Sequence, residues 1–282
     1  MKILITGAGG MLGSQISKAC HESGAEVYPF KKAELDVTDF STLKHVLHFL
    51  KPTLVINCAA YTQVDRAEEC RKEAFAINSL GPRYLACLCR EIHAALMHLS
   101  TDYVFNGESR LPYPVYASPD PINVYGLSKL YGEMAIRETL DRFFIVRTSW
   151  LFGPGGKNFV DTVLKLASEK NRLEIANDQT GCPTYTVDLA QGLMKLAQTG
   201  IFGTYHLTNT GQTTWYGLAL EIKKIMNLAI PIDPCTTAEF PRPAPRPAYS
   251  VLDPFPLQAV TGREMPGWQD ALQRYLREHK KN

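Results

Sequence analysis

Short apolar runs alternate with stretches of helical apolar spacing over the first 150 residues. Runs of this length predict buried strands, whereas apolar residues three and four apart predict helices. Strands are predicted at 1–6, 25–30, 53–60, 94–99 and 143–148, and helices at 14–23, 40–50, 68–79 and 81–93. This alternation predicts an α/β fold with a doubly wound parallel sheet and right-handed crossovers.

The pattern changes after Gly153-Pro154-Gly155-Gly156. Helices are predicted at 159–168, 187–198, 215–226 and 267–279, with small strands at 173–175 and 203–207 and a proline-dense covering loop at 229–256. This half suits a smaller mixed α/β lobe. Because 187–207 is expected to return to the sheet, we predict interleaved domains. A dinucleotide-binding Rossmann domain would comprise 1–150 plus about 185–210, and a substrate-binding lobe about 151–184 and 211–282.

A glycine loop follows the first predicted strand and leads into the first helix. Gly7, Gly10 and Gly13 would let the backbone turn tightly and approach a pyrophosphate, whose charge the helix start favours. Their spacing differs from the usual dinucleotide fingerprint, so an ordinary turn is the alternative. The position between strand and helix favours phosphate binding, with cofactor contacts predicted at Gly7, Gly10, Met11 and Leu12.

Two lysines, Lys31 and Lys32, follow the second strand. Positive charge there accommodates a 2′-phosphate and favours NADPH, with NADH possible; two solvated surface lysines are the alternative. Asp36 and Asp39 then place carboxylates near the adenine end, although Asp39 also suits a helix cap.

Thr101, Tyr125 and Lys129 form the candidate catalytic group. Tyr125 and Lys129 are four residues apart at the start of a predicted helix, so they share one face. Tyr125 would act as a general acid toward a carbonyl oxygen, provided that a nearby positive charge stabilises its phenolate. Lys129 would supply that charge and hold the cofactor ribose, while Thr101 would bind the same carbonyl oxygen. A single Tyr–Lys pair is weak evidence, and its context carries the prediction.

Composition narrows the class of protein. The formal net charge is +2 in 282 residues and long runs of one sign are missing, which does not favour a nucleic-acid or membrane partner. No apolar stretch reaches membrane-spanning length, and the seven scattered cysteines include no Cys-x-x-Cys, so we predict a cytoplasmic protein with reduced thiols. The seven histidines form no ligand cluster.

Six stretches resemble those of a known family, the extended short-chain dehydrogenase/reductases. Four carry the broad resemblance: the glycine loop, Asn57-Cys58-Ala59-Ala60-Tyr61-Thr62, Ser100-Thr101-Asp102-Tyr103-Val104-Phe105 and Asn123-Val124-Tyr125-Gly126-Leu127-Ser128-Lys129. Two others resemble more narrowly the dTDP-4-dehydrorhamnose reductases: Arg147-Thr148-Ser149-Trp150-Leu151-Phe152-Gly153 and Asn177-Asp178-Gln179-Thr180-Gly181-Cys182-Pro183-Thr184. The resemblance covers nearly the whole chain.

This resemblance implies roles for individual residues. Thr101, Tyr125 and Lys129 match the catalytic triad, and Thr101, Asp102 and Trp150 match contacts to a nucleotide-sugar. Arg246 lies in a stretch that resembles the segment over the substrate in this family. Its guanidinium would pair with a diphosphate there, and a solvated surface position is the alternative. The matching cofactor contacts are Asp36, Val37, Ala59, Ala60, Tyr61, Tyr125 and Lys129.

The implied activity is reduction of the keto group at carbon 4 of dTDP-4-dehydro-L-rhamnose to dTDP-L-rhamnose by NADPH or NADH. Two departures are present: Tyr113-Pro114-Val115-Tyr116-Ala117 lacks the family's usual acids, and Gln15 replaces a glutamate that holds magnesium in some members, so no metal is predicted. The alternatives are an NAD-dependent nucleotide-sugar epimerase and a non-catalytic regulatory subunit like the beta subunit of methionine adenosyltransferase. The sequence leaves open the nucleotide and whether the protein is a monomer or a homodimer.

Overall fold

Six parallel strands form the central sheet of the computed structural model, which describes residues 1–279. The strands are β1 (Lys2–Thr6), β2 (Glu26–Phe30), β3 (Leu54–Asn57), β4 (Ala95–Thr101), β5 (Phe143–Thr148) and β10 (Gly203–His206). Their spatial order is β10-β5-β4-β3-β1-β2, and every neighbouring pair is parallel. The predicted doubly wound α/β class is therefore confirmed.

Helices cover both faces of this sheet. One face packs against α1 (Met11–Glu22) and α8 (Thr186–Thr199), and the other against α2 (Phe40–Leu50), α5 (Gly81–Glu91) and α6 (Val124–Thr139). Side chains alternate along each strand, so Ile3 and Ile5 belong to the first core while Leu4 belongs to the second. Burial on both faces explains why the four inner strands, β1, β3, β4 and β5, are mainly apolar, whereas the edge strands β2 and β10 are more exposed.

The segment between β3 and α5 differs from the prediction. The helix predicted at 68–79 begins earlier, at Val64, and is divided into α3 (Val64–Glu69), α4 (Arg71–Phe75) and a π-helical turn at Ala76–Leu80. Cys70 interrupts the helix with a backbone outside the helical region, at φ −98° and ψ 43°. Wide turns of this kind commonly occur at functional sites.

The second lobe combines short strands with three helices. Its strand pairs are β6 (Leu151–Phe152) with β9 (Thr184–Tyr185), β7 (Leu173–Ala176) with β12 (Ile232–Cys235), and β8 (Thr180–Gly181) with β11 (Thr213–Thr214). Its helices are α7 (Phe159–Glu169), α9 (Trp215–Met226) and α11 (Trp268–His279). A further short helix, α10 (Leu257–Thr261), packs against α8, and its Leu257 belongs to the core of the sheet. The lobe has its own apolar core around Phe152, Tyr185 and Leu272.

Two features bear on the predicted organisation of this half. The segment predicted at 203–207 is β10, which pairs with β5, so the chain does return to the sheet. The proline-dense segment predicted as a loop also contains β12, because β7 supplies a backbone partner for it. The division into two interleaved domains stays a prediction, and its residues 280–282 lie outside the described residues. Within residues 1–279, the helices are too short or too polar to cross a membrane.

Candidate active site

A cleft of about 950 Å³ lies at the carboxyl ends of β1, β3, β4 and β5. We call one part the glycine-loop half; it is lined by the loop at 7–13, Lys32, Asp36, Val37 and the segment 59–61. We call the other part the aromatic half; it is lined by Thr101, Asp102, Thr148, Trp150 and Trp215. Tyr125 and Lys129 line the same cleft. Ligands of open α/β sheets bind at this edge.

The glycine loop packs directly against the end of β3. Gly7 has a left-handed backbone, with φ 68°, and a Cβ atom there would lie 2.6 Å from the amide nitrogen of Ala59. A side chain would therefore be both strained and obstructed. Gly10 is the residue before α1, whose N-terminal N–H groups open into the cleft lined by Gly10, Met11 and Leu12. This cradle fits the pyrophosphate of a dinucleotide.

The two lysines after β2 occupy different positions. Lys32 lines the cleft, whereas Lys31 is exposed and its backbone N–H donates to Glu34 Oε2 at 2.7 Å. Asp36 lines the cleft beside Val37, and its Oδ1 accepts from the hydroxyl of Thr38 at 2.8 Å. The predicted positive charge near the adenine end is thus carried at the cleft wall by Lys32.

Tyr61 is held in the cleft wall by Asn78, a residue that the motif analysis missed. The side chain of Asn78 accepts from the Tyr61 N–H at 2.8 Å and donates to the Tyr61 carbonyl at 3.1 Å. It also donates to Ser128 Oγ on α6 at 2.9 Å. Asn78 lies in the π-helical turn and is fully buried. The turn therefore joins the predicted cofactor wall to the helix that carries Tyr125 and Lys129.

Tyr125 stands at the start of α6, opposite the end of β4. The helix begins here because the side chain of Asn123 accepts the N–H of Gly126 at 2.8 Å. Burial raises the pKa of Tyr125 to about 12, and the Thr101 hydroxyl opposes this rise. The phenol therefore holds its proton at neutral pH. Thr101 ends β4, so the structure brings the predicted hydroxyl and phenol together.

Lys129 is also in the cleft wall, but its ammonium nitrogen is directed elsewhere. Only 1% of Lys129 is exposed; its Nζ donates to the Leu99 carbonyl and lies 3.3 Å from His98 Nε2. Burial lowers the pKa of Lys129 to about 8. In this structure burial is the largest influence on the pKa of Tyr125, and the group that opposes it is the Thr101 hydroxyl. The effect of Lys129 on the phenol during catalysis stays a prediction.

The aromatic half contains two buried polar atoms without hydrogen-bond partners in the described part of the chain, Asp102 Oδ2 and Thr148 Oγ1. The other carboxylate oxygen of Asp102 accepts from the Thr101 hydroxyl at 3.1 Å. Burial raises the pKa of Asp102 to about 7, an effect that the nearby Ser250 and Thr101 hydroxyl groups oppose. Unpaired buried oxygens are costly, so this wall is suited to a ligand that carries hydroxyl groups.

Trp150 and Trp215 stack face to face, with ring centroids 3.5 Å apart and planes 5° from parallel. The indole N–H of Trp215 donates to Gln179 Oε1 at 3.1 Å, which fixes the outer ring. Trp150 has a left-handed backbone with φ 47°, which is uncommon for a large side chain. A Cβ atom on Gly181 would lie 2.5 Å from its ring, so only glycine fits there. Trp150 was predicted as a ligand contact; Trp215 was missed.

Arg246 does not line this cleft. Its guanidinium forms a 3.0 Å ion pair with Asp65 and donates to the Ala244 carbonyl at 2.7 Å. The structure therefore places the predicted diphosphate contact against the start of α3, with 15% of its side chain exposed. The proposed pairing with a diphosphate stays a prediction.

A buried charge network behind the cleft also escaped the sequence analysis. Arg147 on β5 donates to both carboxylate oxygens of Glu133 on α6, at 3.0 and 2.8 Å, and Ser100 on β4 donates to the same group. Burial tends to raise the pKa of Glu133, but Arg147, Ser100 and Arg137 together outweigh burial, and the pKa is lowered. These bonds fix α6 to β4 and β5. Sequence patterns do not reveal them because the partners are far apart along the chain.

Comparisons with known proteins identify the family. A model of the RmlD substrate binding domain matches residues 1–281. The spore coat polysaccharide biosynthesis protein SpsK of Bacillus subtilis is 41% identical over 98% of this chain and 97% of its own. A dTDP-4-dehydrorhamnose reductase of Streptomyces griseus is 42% identical over 95% and 91%.

The solved structures agree with these sequence matches. The dTDP-4-dehydrorhamnose reductase of Bacillus anthracis, crystallised in complex with NADP, is 40% identical. It superposes with a TM-score of 0.96 and covers 99% of this chain and 100% of that one. The resemblance inferred from the sequence motifs is confirmed, and the chain belongs to the RmlD substrate-binding domain family, which includes dTDP-4-dehydrorhamnose reductases.

Proposed function

We propose that the protein reduces the 4-keto group of dTDP-4-dehydro-L-rhamnose to give dTDP-L-rhamnose, with NADPH as the reductant. The observation that carries this proposal is the convergence of Thr101, Tyr125 and Lys129 in the cleft that also contains the glycine loop. The names of the relatives from Streptomyces griseus and Bacillus anthracis support the substrate and the cofactor.

The residues present fit the cofactor. The glycine loop and the start of α1 would hold its pyrophosphate, Lys32 and Asp36 would meet the adenosine end, and Ala59, Ala60 and Tyr61 would form the wall. Lys31 is proposed to approach the 2′-phosphate from the exposed side. When bound, the nicotinamide supplies the hydride.

This chain's own residues handle the proton. Tyr125 holds a proton at neutral pH and would donate it to the carbonyl oxygen, while the Thr101 hydroxyl would orient that oxygen. Lys129 would hold ribose hydroxyls once its Nζ turns from the Leu99 carbonyl. Asp102 and Trp150 would contact the sugar, whose hydroxyl groups suit the unpaired Asp102 Oδ2.

The test is NADPH consumption. Purified protein is mixed with NADPH and enzymatically made dTDP-4-dehydrorhamnose, and the near-ultraviolet absorbance of NADPH is followed. We expect a decrease that depends on both substrates, with dTDP-rhamnose as the product. A folded protein that leaves NADPH unchanged contradicts the proposal. Retention of bound NAD through purification would favour an epimerase, and a stoichiometric protein partner would favour a regulatory subunit.

A further inference from the structure

A chain of buried hydrogen bonds leads from β1 to the catalytic lysine. Thr6 Oγ1 donates to Asn57 Oδ1 at 2.7 Å, Asn57 Nδ2 lies 2.9 Å from His98 Nδ1, and His98 Nε2 lies 3.3 Å from Lys129 Nζ. Thr6, Asn57 and His98 have no exposed surface, and Lys129 has 1%. Polar groups this deeply buried need defined partners, so the protons along the chain can be assigned.

The backbone N–H of Ala59 determines which group donates and which accepts in each of these hydrogen bonds. Its N–H contacts Asn57 Oδ1 at 3.2 Å, and a backbone N–H can only donate. The amide oxygen of Asn57 therefore faces Ala59, and its NH₂ group faces His98. His98 Nδ1 must then accept, which leaves the proton of the neutral ring on Nε2. Burial, assisted by Lys129, holds the pKa of His98 well below its usual range, so the ring is neutral.

The protonated nitrogen of His98 thus points at Lys129. An ammonium group has three donors and no acceptor, so it cannot accept this proton, whereas an uncharged amine can. We propose that His98 is a positioning residue for Lys129: its Nε2–H, oriented by Asn57, donates a hydrogen bond only to the uncharged amine and stabilises it whenever Lys129 gives up a proton.

This inference rests on the proposed function for its role in turnover. After Tyr125 donates its proton to the reduced carbonyl oxygen, the phenolate must regain one. The Lys129 ammonium would supply that proton and become an amine, the amine would accept from His98, and a solvent proton would restore the ammonium. His98 keeps its own proton throughout.

Other groups near Lys129 act on its charge as well. Burial lowers the pKa of Lys129 to about 8, and the charged Glu133 on its own helix opposes this. Burial raises the pKa of Cys58, which follows β3, to about 12, so its thiol is uncharged where Lys129 titrates and does not favour the ammonium there. Because Glu133 favours the ammonium, the His98 Nε2–H is the neighbour that favours the amine.

Nitrogen NMR of the ligand-free, full-length protein tests the assignment directly. Uniformly labelled histidine would show His98 with the proton on Nε2, identified by loss of its signals in His98→Leu. A proton on Nδ1 overturns the inference. This measurement needs no activity, so it separates failure here from failure of the proposed function.

The second test is a double-mutant cycle. It measures the pKa of Lys129 from the NMR chemical shift of its labelled ε-carbon as the pH is changed. Asn57→Asp offers Nδ1 a carboxylate acceptor for its proton, so Nε2 would present a lone pair to the ammonium. We expect the pKa of Lys129 to rise by about one unit, a roughly tenfold gain in proton affinity, and the alkaline limb of kcat to move the same way. In a His98→Leu background this rise should largely vanish. An equal rise in both backgrounds would mean that the new carboxylate attracts the ammonium directly, and it would overturn the proposed role of His98.

A matched control uses the second buried histidine of the sheet. His206 on β10 is 1% exposed, and its ring contacts Arg147 and the Asp253 carbonyl. His206→Leu should leave the pKa of Lys129 in place, and thermal melts would establish that every variant is folded. A shift in this control as large as in Asn57→Asp would also contradict a specific role for His98.

Discussion

The glycine-loop half and the aromatic half of the cleft are built in different ways. In the glycine-loop half, backbone N–H groups and small side chains form the surface, and its main segment is contiguous at 7–13. In the aromatic half, Trp150 and Trp215 come from positions 65 residues apart and meet through tertiary packing. The first half depends on room for the backbone, and the second on buried polar and aromatic contacts. Substitutions in the two halves should therefore fail in different ways.

The largest effect is expected where the halves meet. Tyr125→Phe removes the proposed proton donor and keeps the ring, so kcat should fall by about 10²- to 10⁴-fold while NADPH binding persists. Steady-state kinetics and cofactor fluorescence measure the two properties separately. Near-normal turnover would exclude Tyr125 as the acid.

Asp102→Asn should reveal how much free energy of unfolding the protein loses by burying a charged carboxylate in the aromatic half. The pKa of this carboxyl group is raised from 3.8 to about 7, so the folded protein binds more protons than the unfolded chain between these values. Stability should fall as pH rises from about 4 to about 7, and the variant should lack this fall. At pH 8 we expect a gain on the order of 2–4 kcal/mol, with none at pH 4.

Chemical denaturation across this pH range measures the effect. Asp141→Asn, an exposed aspartate before β5, serves as the control for changing one carboxyl group. A stability difference that does not depend on pH would argue against a buried carboxyl group with a raised pKa. The gain should accompany weaker binding of the nucleotide-sugar.

Gly7→Ala should damage the other half through its backbone. The added Cβ atom would meet the Ala59 amide nitrogen at 2.6 Å at a positive φ, so we expect a loss of about 1–3 kcal/mol in stability and weaker NADPH binding. Gly24→Ala is a matched control, since its φ is 75° and its added Cβ atom has open space around it. Equal losses in both would mean that backbone strain alone explains the effect.

Trp215→Leu should affect the aromatic half alone. Loss of an aromatic pair costs about 0.5–1.5 kcal/mol, which predicts a KM for the nucleotide-sugar about 2- to 12-fold higher with unchanged NADPH affinity. Trp215→Phe keeps an aromatic face and should retain most of the affinity. A change in NADPH affinity with an unchanged KM for the nucleotide-sugar would contradict the assignment of Trp215 to the aromatic half.

The smallest effect concerns Arg246. Asp65→Asn releases its guanidinium from the ion pair, so KM should decrease by at most about fivefold if Arg246 then reaches the diphosphate. Arg246→Gln should raise KM and cancel the gain in the double variant. An Asp65→Asn effect that survives without Arg246 would contradict that role.

The features that could be predicted from the sequence are those encoded by contiguous segments, and the features that could not be predicted are those assembled by folding. The parallel sheet, the glycine loop and the positions of Thr101 and Tyr125 were accessible because apolar periodicity and contiguous motifs encode them. Asn78, Trp215 and the Glu133–Arg147 pair were not, because their roles depend on partners brought together by folding. The direction of Lys129 was also inaccessible, since its Nζ bonds the Leu99 carbonyl, which folding brings to it from β4.

The stacked indoles also give the protein an optical property. Of its three tryptophans, Trp268 is buried in the core of the second lobe, whereas Trp150 and Trp215 lie parallel at van der Waals distance in the cleft. Two chromophores this close couple their electronic excitation, so the near-ultraviolet spectrum of the protein depends on how the two rings are arranged. A ligand that separates the rings should change that spectrum, so occupancy of the cleft can be followed without a label.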